Sequence, residues 1–287
     1  MFDKILIVSE ISTASAEMIK RVEDLKKFGT KECLLAQIFN PGEIEAGVSD
    51  YLRSIFEENF DKQKETLKKA GFKVGSQIIS ANIKSEINRL ATEEGCSLIV
   101  VGGEKHTLVG ALLFGGIAYD VLSGANLPVL LMRSSKESNQ DLKKCQIAEH
   151  VLFPTDFSDN ADVAFDYVKE MVKKGIRKVT MFHVQDQFMI NPYLLHRLVE
   201  FNEIDKARLQ NYKDELLALG RVEVDIRISF GSPTSEILSF IDAANISLVV
   251  MGTQGRGYIK EVFLGSVSHN ISRHASASVL LIPGNRK

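Results

Sequence analysis

Short runs that are apolar at every position alternate along this chain with longer stretches in which apolar residues recur every three or four positions. Leu98-Ile99-Val100-Val101 and Leu248-Val249-Val250-Met251 are of the first kind, the pattern of a strand buried on both faces. Such runs predict strands at Lys4–Val8, Glu32–Ile38, Lys73–Ile79, Leu98–Gly102 and Pro128–Met132. They recur at Val151–Phe153, Lys178–Val184, Val222–Ser229, Leu248–Met251 and Ser278–Ile282. The intervening stretches predict helices, the longest within Gly42–Lys69 and Asn191–Leu219. There Tyr51, Ile55, Phe56 and Phe60, and then Leu194, Leu195, Leu198 and Val199, fall at helical spacing. Those stripes read as core or interface and receive no ligand role. Strands alternating with helices predict an α/β fold, with open parallel sheets covered by crossover helices on both faces.

The pattern occurs twice. At an offset of 150, Cys96–Gly102 lies over Ile246–Gly252, Ser85-Glu86-Ile87 over Ser235-Glu236-Ile237, and Val129-Leu130-Leu131 over Val279-Leu280-Leu281. Near the start of each half the offset is 146, with Lys4–Ser12 over His150–Ser158. A repeat of this length predicts two tandem domains of five strands each. Their expected limits are 1–132 and 148–287, joined by a linker at 133–147 in which Ser-Ser-Lys-Glu-Ser-Asn-Gln-Asp lacks apolar periodicity.

Composition narrows the function classes. A formal charge of −2 on 287 residues, 25% of them charged, provides no basic footprint, so no nucleic-acid partner is expected. No apolar run approaches the length of a membrane span, and Met1-Phe2-Asp3-Lys4 runs directly into a strand without a signal peptide. A cytoplasmic protein with no membrane partner is the expectation. Cys33, Cys96 and Cys145 lack metal-ligand spacing and read as reduced, packed thiols.

In an open parallel sheet, ligands bind beyond the carboxyl ends of the strands where strand order reverses. Four features of the second half belong there. Met251 and Gly252 end a strand, and Gly255 and Gly257 follow in the loop, where a backbone can make approaches that a Cβ would block. Gly265-Ser266-Val267-Ser268 opens a helix, whose unpaired N–H groups favour an anion. Pro154-Thr155-Asp156 ends the first strand and supplies a carboxylate able to accept from ribose hydroxyls. Val184 closes the second strand, where its main chain can meet an adenine edge. Taken singly, a Gly-x2-Gly is more often a turn and a serine-rich helix start more often a cap. Arg256, between two glycines, reaches phosphate or faces solvent with equal justification. His183 reads as structural.

Gly252, Gly255, Gly265 and Ser266 form Gly-x2-Gly-x9-Gly-Ser. In this spacing and in its two halves the chain resembles a tandem universal stress protein, over nearly its whole length. The resemblance implies an adenine nucleotide alpha hydrolase-like, Rossmann-like fold in each half and a stress-response protein that binds ATP or AMP. It implies Asp156 on the ribose, the Val184 main chain on the adenine, and Gly255, Gly265, Ser266, Val267 and Ser268 at the phosphates. Mg2+ is compatible with ATP there, but the metal usually keeps several waters and takes few protein ligands, so Asp186 is not assigned to it and no metal-ligating residue is named.

The first half departs from this pattern. Lys105 stands for Gly255, Gly116 for Ser266, Ala118 for Ser268, Val8 for Pro154 and Glu10 for Asp156. The expectation is one adenine nucleotide per chain, in the second half, with little or no turnover. A slow ATPase and a nucleotide-independent assembly module stand beside it. For the latter, the last strands are apolar enough to be buried by pairing of the two domains with each other, and a homodimer remains open.

Overall fold

The computed structural model describes residues 1–9, 13–38, 49–79, 83–103, 116–133, 147–188, 192–255 and 264–284. The chain divides into two compact units, Met1–Glu137 and Ser138–Lys287.

In the first unit, β1 (Lys4–Ser9), β2 (Glu32–Ile38), β3 (Lys73–Ile79), β4 (Leu98–Gly103) and β5 (Val129–Arg133) alternate with α1 (Thr13–Arg21), α2 (Ser49–Lys69), α3 (Ile83–Glu93) and α4 (Gly116–Gly124). The strands lie in the order β3-β2-β1-β4-β5, every pairing parallel. The second unit repeats the plan with β6 (Val151–Pro154), α5 (Asp159–Lys173), β7 (Lys178–Asp186), α6 (Leu198–Leu219), β8 (Glu223–Gly231), α7 (Pro233–Ala243), β9 (Leu248–Gly252), α8 (Ser266–His274) and β10 (Ser278–Ile282). Its order is β10-β9-β6-β7-β8, again parallel throughout. Each unit is therefore the expected five-stranded α/β sheet. The reversal of strand order falls between β6 and β9, whose carboxyl ends open side by side.

Continuous apolar strands are buried because helices cover both faces. Leu248, Val249 and Val250 are each at most 1% exposed, as are Leu98, Ile99 and Val100. In the second unit α5 packs beside α6, and α7 beside α8. Helix α5 shows why such a segment folds as it does. Ser158 caps it by accepting from the Ala161 N–H at 3.3 Å, and Asp159 and Asp162 complement the positive end of the helix dipole. Ala161, Ala164, Phe165, Val168, Met171 and Val172 make its buried face, and Gly175 at φ +88° ends the segment.

Some boundaries differ from the apolar pattern. β7 runs two residues beyond Val184, because Gln185 and Asp186 pair with Phe230 and Gly231 of β8. Arg133 ends β5 rather than opening a linker, and Ile147 is buried; residues 134–146 between them lie outside the described residues. The helix expected from Gly42 is described from Ser49, and a 3-10 turn at Pro192–Arg197 precedes α6. Val199, read as part of a core or interface stripe, is 75% exposed. Cys33 and Cys96 are free and buried, and burial pushes their thiols up to about 12 and about 11, so both stay protonated; Cys145 lies outside the described residues. Among the described residues no helix is long and apolar enough to cross a membrane.

Candidate functional site

The carboxyl end of β6 carries a tightly organised turn. Thr155 extends the β6–β7 ladder by donating its N–H to the Phe182 carbonyl at 2.9 Å, and its hydroxyl accepts from the Phe157 N–H at 3.0 Å. Asp156 Oδ1 accepts from the N–H and the hydroxyl of Ser158, at 3.1 and 2.6 Å. Between them Phe157 adopts φ +57°, a left-handed conformation uncommon for a bulky residue, with a cost of order 1–2 kcal/mol. Its ring is held from several sides: His183 at 4.7 Å, Tyr212 at 6.1 Å, and the Arg208 guanidinium stacked at 3.9 Å.

Beyond Phe182, β7 has no β6 partner. Backbone groups alternate sides along a strand, so Val184, like Phe182, turns its N–H and carbonyl towards the β6 side, into the space past the end of β6. His183 points elsewhere. It is 7% exposed, its Nδ1 lies 2.8 Å from the Thr155 carbonyl oxygen, and its Nε2 lies 3.4 Å from Asp205 Oδ2. A carbonyl only accepts, so Nδ1 carries a proton. Asp205 Oδ2 also accepts from Gln185 Nε2 at 2.8 Å. Histidine and carboxylate together tie β7 and the Asp156 turn to α6.

The β9 end and the start of α8 form the opposite wall. The Gly265 N–H donates to the Thr253 carbonyl at 2.7 Å, drawing the two ends of the 253–265 loop together. Ser268 is 3% exposed, and its hydroxyl lies 2.6 Å from the Thr253 carbonyl and 2.9 Å from that of Gly265. Both partners are acceptors, so this hydroxyl proton fastens the loop to the helix. Gly265, at the N-cap, offers no side-chain cap to the first turn of α8. The backbone N–H groups of that turn face the cleft without one.

The two loop glycines have different explanations. A Cβ at Gly255 would stand 2.5 Å from Asp156 Oδ2, so a larger residue there would push the Asp156 carboxylate aside. At Gly265 the backbone sits at φ −66°, ψ 159°, open to any residue, and the nearest atoms to a Cβ would be 3.5 Å away. Among the described residues, neither backbone conformation nor packing demands a glycine at 265.

These walls enclose a cleft of ≈ 670 Å³ lined by Pro154, Thr155, Asp156, Val184, Met251, Gly252, Gly255, Gly265, Ser266, Val267 and Ser268, within the size range of small-molecule sites. Every site residue expected from sequence is thus gathered in one place except Arg256, which lies outside the described residues. Sequence reasoning missed the other side: Phe201, Ile204, Asp205 and Arg208 of α6, and Pro233 and Ile237 of α7, also line the cleft. The four from α6 are spaced i, i+3, i+4, i+7, a one-face signature legible in principle. Among the described residues no group of three or more His, Cys, Asp or Glu side chains is gathered to hold a metal ion.

In the first unit, Ser9 and Gln37 occupy the places of Thr155 and His183. There Ser9 donates to Gln63 Oε1 at 2.7 Å, and Gln63 in turn donates to Asn59 Oδ1 at 2.7 Å. Ala118, in the place of Ser268, is 5% exposed. Glu10, Lys105 and Gly115 lie outside the described residues.

The sequence model of the universal stress protein family matches residues 1–133 and again 148–283, one match for each half of the repeat. The chain belongs to the universal stress protein family. A universal stress protein of Methanocaldococcus jannaschii is 28% identical over 151 residues, covering 46% of this chain and 93% of that protein. A Staphylococcus aureus relative bearing the same family name is 30% identical over 139 residues, 47% of this chain and 83% of its own length. The crystal structure of a universal stress protein from Archaeoglobus fulgidus shares the tandem fold, with a TM-score of 0.72 at 22% identity over 99% of each chain.

Proposed function

We propose that the second unit binds one adenine nucleotide, ATP or AMP, in this cleft, and that occupancy regulates a cytoplasmic stress response with little or no turnover. The observation that carries the reading is Gly265: among the described residues neither its backbone nor its packing requires a glycine, and it stands at the start of α8, without a side-chain cap, on the same cleft as the Asp156 carboxylate. In this reading the adenine edge meets the Val184 main chain, between apolar walls that include Ile204 and Ile237. Asp156 accepts from the ribose hydroxyls, and the phosphates lie at the first turn of α8, with the Ser266 hydroxyl as a further donor. Ser268 contributes its backbone N–H, its hydroxyl being engaged with the loop. Asp186 Oδ1 already accepts from the Phe188 N–H at 2.9 Å, and Asp156 and Asp205 are likewise engaged. A Mg2+ accompanying ATP would therefore be held chiefly by phosphate oxygens and water. Regulation rather than catalysis is supported by His183, whose partners are Thr155 and Asp205 on the cleft wall.

Asp156→Ala tests this reading. Losing a charged acceptor to the ribose is expected to weaken ATP and AMP binding by roughly ten- to a hundredfold in titration calorimetry. Asp156 also accepts from the Ser158 N–H and hydroxyl, so the ligand-free melt should fall by a few degrees and affinity is compared on the folded variant. Equal affinity in variant and wild type would remove Asp156 from the site.

A further inference from the structure

Three carboxylates line the cleft, Asp156, Asp186 and Asp205, and Arg208 is the sole Lys or Arg among its described lining residues. No carboxylate among the described residues lies within ion-pair distance of Arg208, whereas Glu215 of the same helix pairs with Lys169. A guanidinium held by no carboxylate beside three of them is available to an anionic ligand. Its position is set by a strained residue. Phe157, at φ +57°, presents its ring to Arg208, whose guanidinium carbon lies 3.9 Å from the ring centroid. A guanidinium held against a ring face keeps its in-plane N–H donors for a ligand. Phe157 directly follows Asp156, so Arg208 is fixed over the turn that supplies the ribose acceptor, where the first phosphate of a nucleotide would leave the sugar. Residual strain of this kind at a ligand cleft points to use rather than to packing alone.

We infer that Arg208 is a phosphate-binding residue, which reaches the ligand's 5′-phosphate from α6, opposite the α8 helix start, and makes the site select nucleotides over nucleosides. This rests on the nucleotide reading of the cleft and adds a specificity residue to it. Binding would draw α6 towards the phosphates, linking the charge of the ligand to the helix that His183 and Gln185 tie to Asp205.

The test is a calorimetric affinity series for adenosine, AMP and ATP on the full chain, wild type against Arg208→Ala, Arg208→Gln and Arg208→Lys. The expected result is a loss of about tenfold or more for AMP and ATP in the Ala and Gln variants, with adenosine affinity unchanged. The Lys variant should recover only part of it, because an ammonium has no plane to stack on Phe157. Equal losses for adenosine and AMP would overturn the inference by showing that Arg208 acts on the base or on packing, as would no loss for any of the three. Failure of the wild type to bind AMP or ATP would instead defeat the nucleotide reading itself. Arg208 is exposed, and Arg208→Gln keeps a flat polar end should Arg208→Ala fail to fold.

Discussion

Gly265→Val removes the thermal stabilisation that ATP or AMP gives the wild-type protein, while the ligand-free melting temperature falls by only a few degrees, the cost of a poorer N-cap residue. The two halves of this expectation have separate physical sources. Valine readily adopts φ −66°, ψ 159°, and its Cβ would meet only van der Waals contacts at 3.5 Å from Gln254 and Thr253, so the empty fold tolerates it. Its methyl groups, however, would stand in front of the first turn of α8, where an anion must approach the backbone N–H groups within hydrogen-bond distance. A ligand present at a hundred times its dissociation constant stabilises a protein by about 2.7 kcal/mol, and losing two orders of magnitude in affinity would erase most of that. Differential scanning fluorimetry with and without nucleotide measures both halves at once. A retained ligand shift in the variant would show that nothing approaches Gly265; a collapsed ligand-free melt would show that the glycine serves the fold.

Phe153→Ala should be the most damaging to stability of the substitutions considered, at about 3–5 kcal/mol. Phe153 is fully buried in the middle of β6, with its ring 5.4 Å from Phe165 and 6.2 Å from Tyr212. Phe165 and Tyr212 stack at 4.3 Å, and Phe157 joins through Tyr212, so the cluster connects β6, α5, α6 and the Asp156 turn. Burial first, and then the hydrogen bond to Asp162, push the Tyr212 hydroxyl above its ordinary range and keep it neutral within this cluster. An alanine at 153 leaves a cavity that the surrounding rings cannot fill without leaving their contacts. The apparent melting temperature of the second unit should drop by roughly 10 °C. A change of only a degree or two, followed by circular dichroism, would mean that the cluster collapses around the gap and does not brace the turn.

Much of this architecture is legible in the sequence because strands buried on both faces must be apolar throughout, and because the chain states its pattern twice. Leu248–Met251 could be placed to within a residue. Polar strand ends were harder: Gln185 and Asp186 pair with β8, yet carry no apolar signal. The cleft is legible at the strand ends, through the glycine loop, the Asp156 turn and Val184, and not on its helix side. Arg208, Ile204 and Phe201 sit on a helix whose exposed residues are not limited by backbone conformation, so their placement became visible only when α6 was packed against the Asp156 turn. Packing adds contacts that the motif does not show: the Ser268 hydroxyl proton is directed at Thr253 and Gly265, and Gly255 lies against the Asp156 carboxylate.

Comparison of the halves explains why the two copies of the fold are expected to differ in function. Both retain strand order, parallel pairing and buried strand centres. The first half lacks the residues that, in the second, bring Asp156 against Gly255 and leave a hydroxyl at position 266. The expected asymmetry is therefore one of residue chemistry at the strand ends, the described strands of both halves sharing one order.

Stoichiometry tests the central claim most directly. Native mass spectrometry of the full chain with excess ATP or AMP should show a single nucleotide bound per chain, and no bound species in Gly265→Val. Two nucleotides per chain, or one retained in Gly265→Val, would contradict a single site in the second unit.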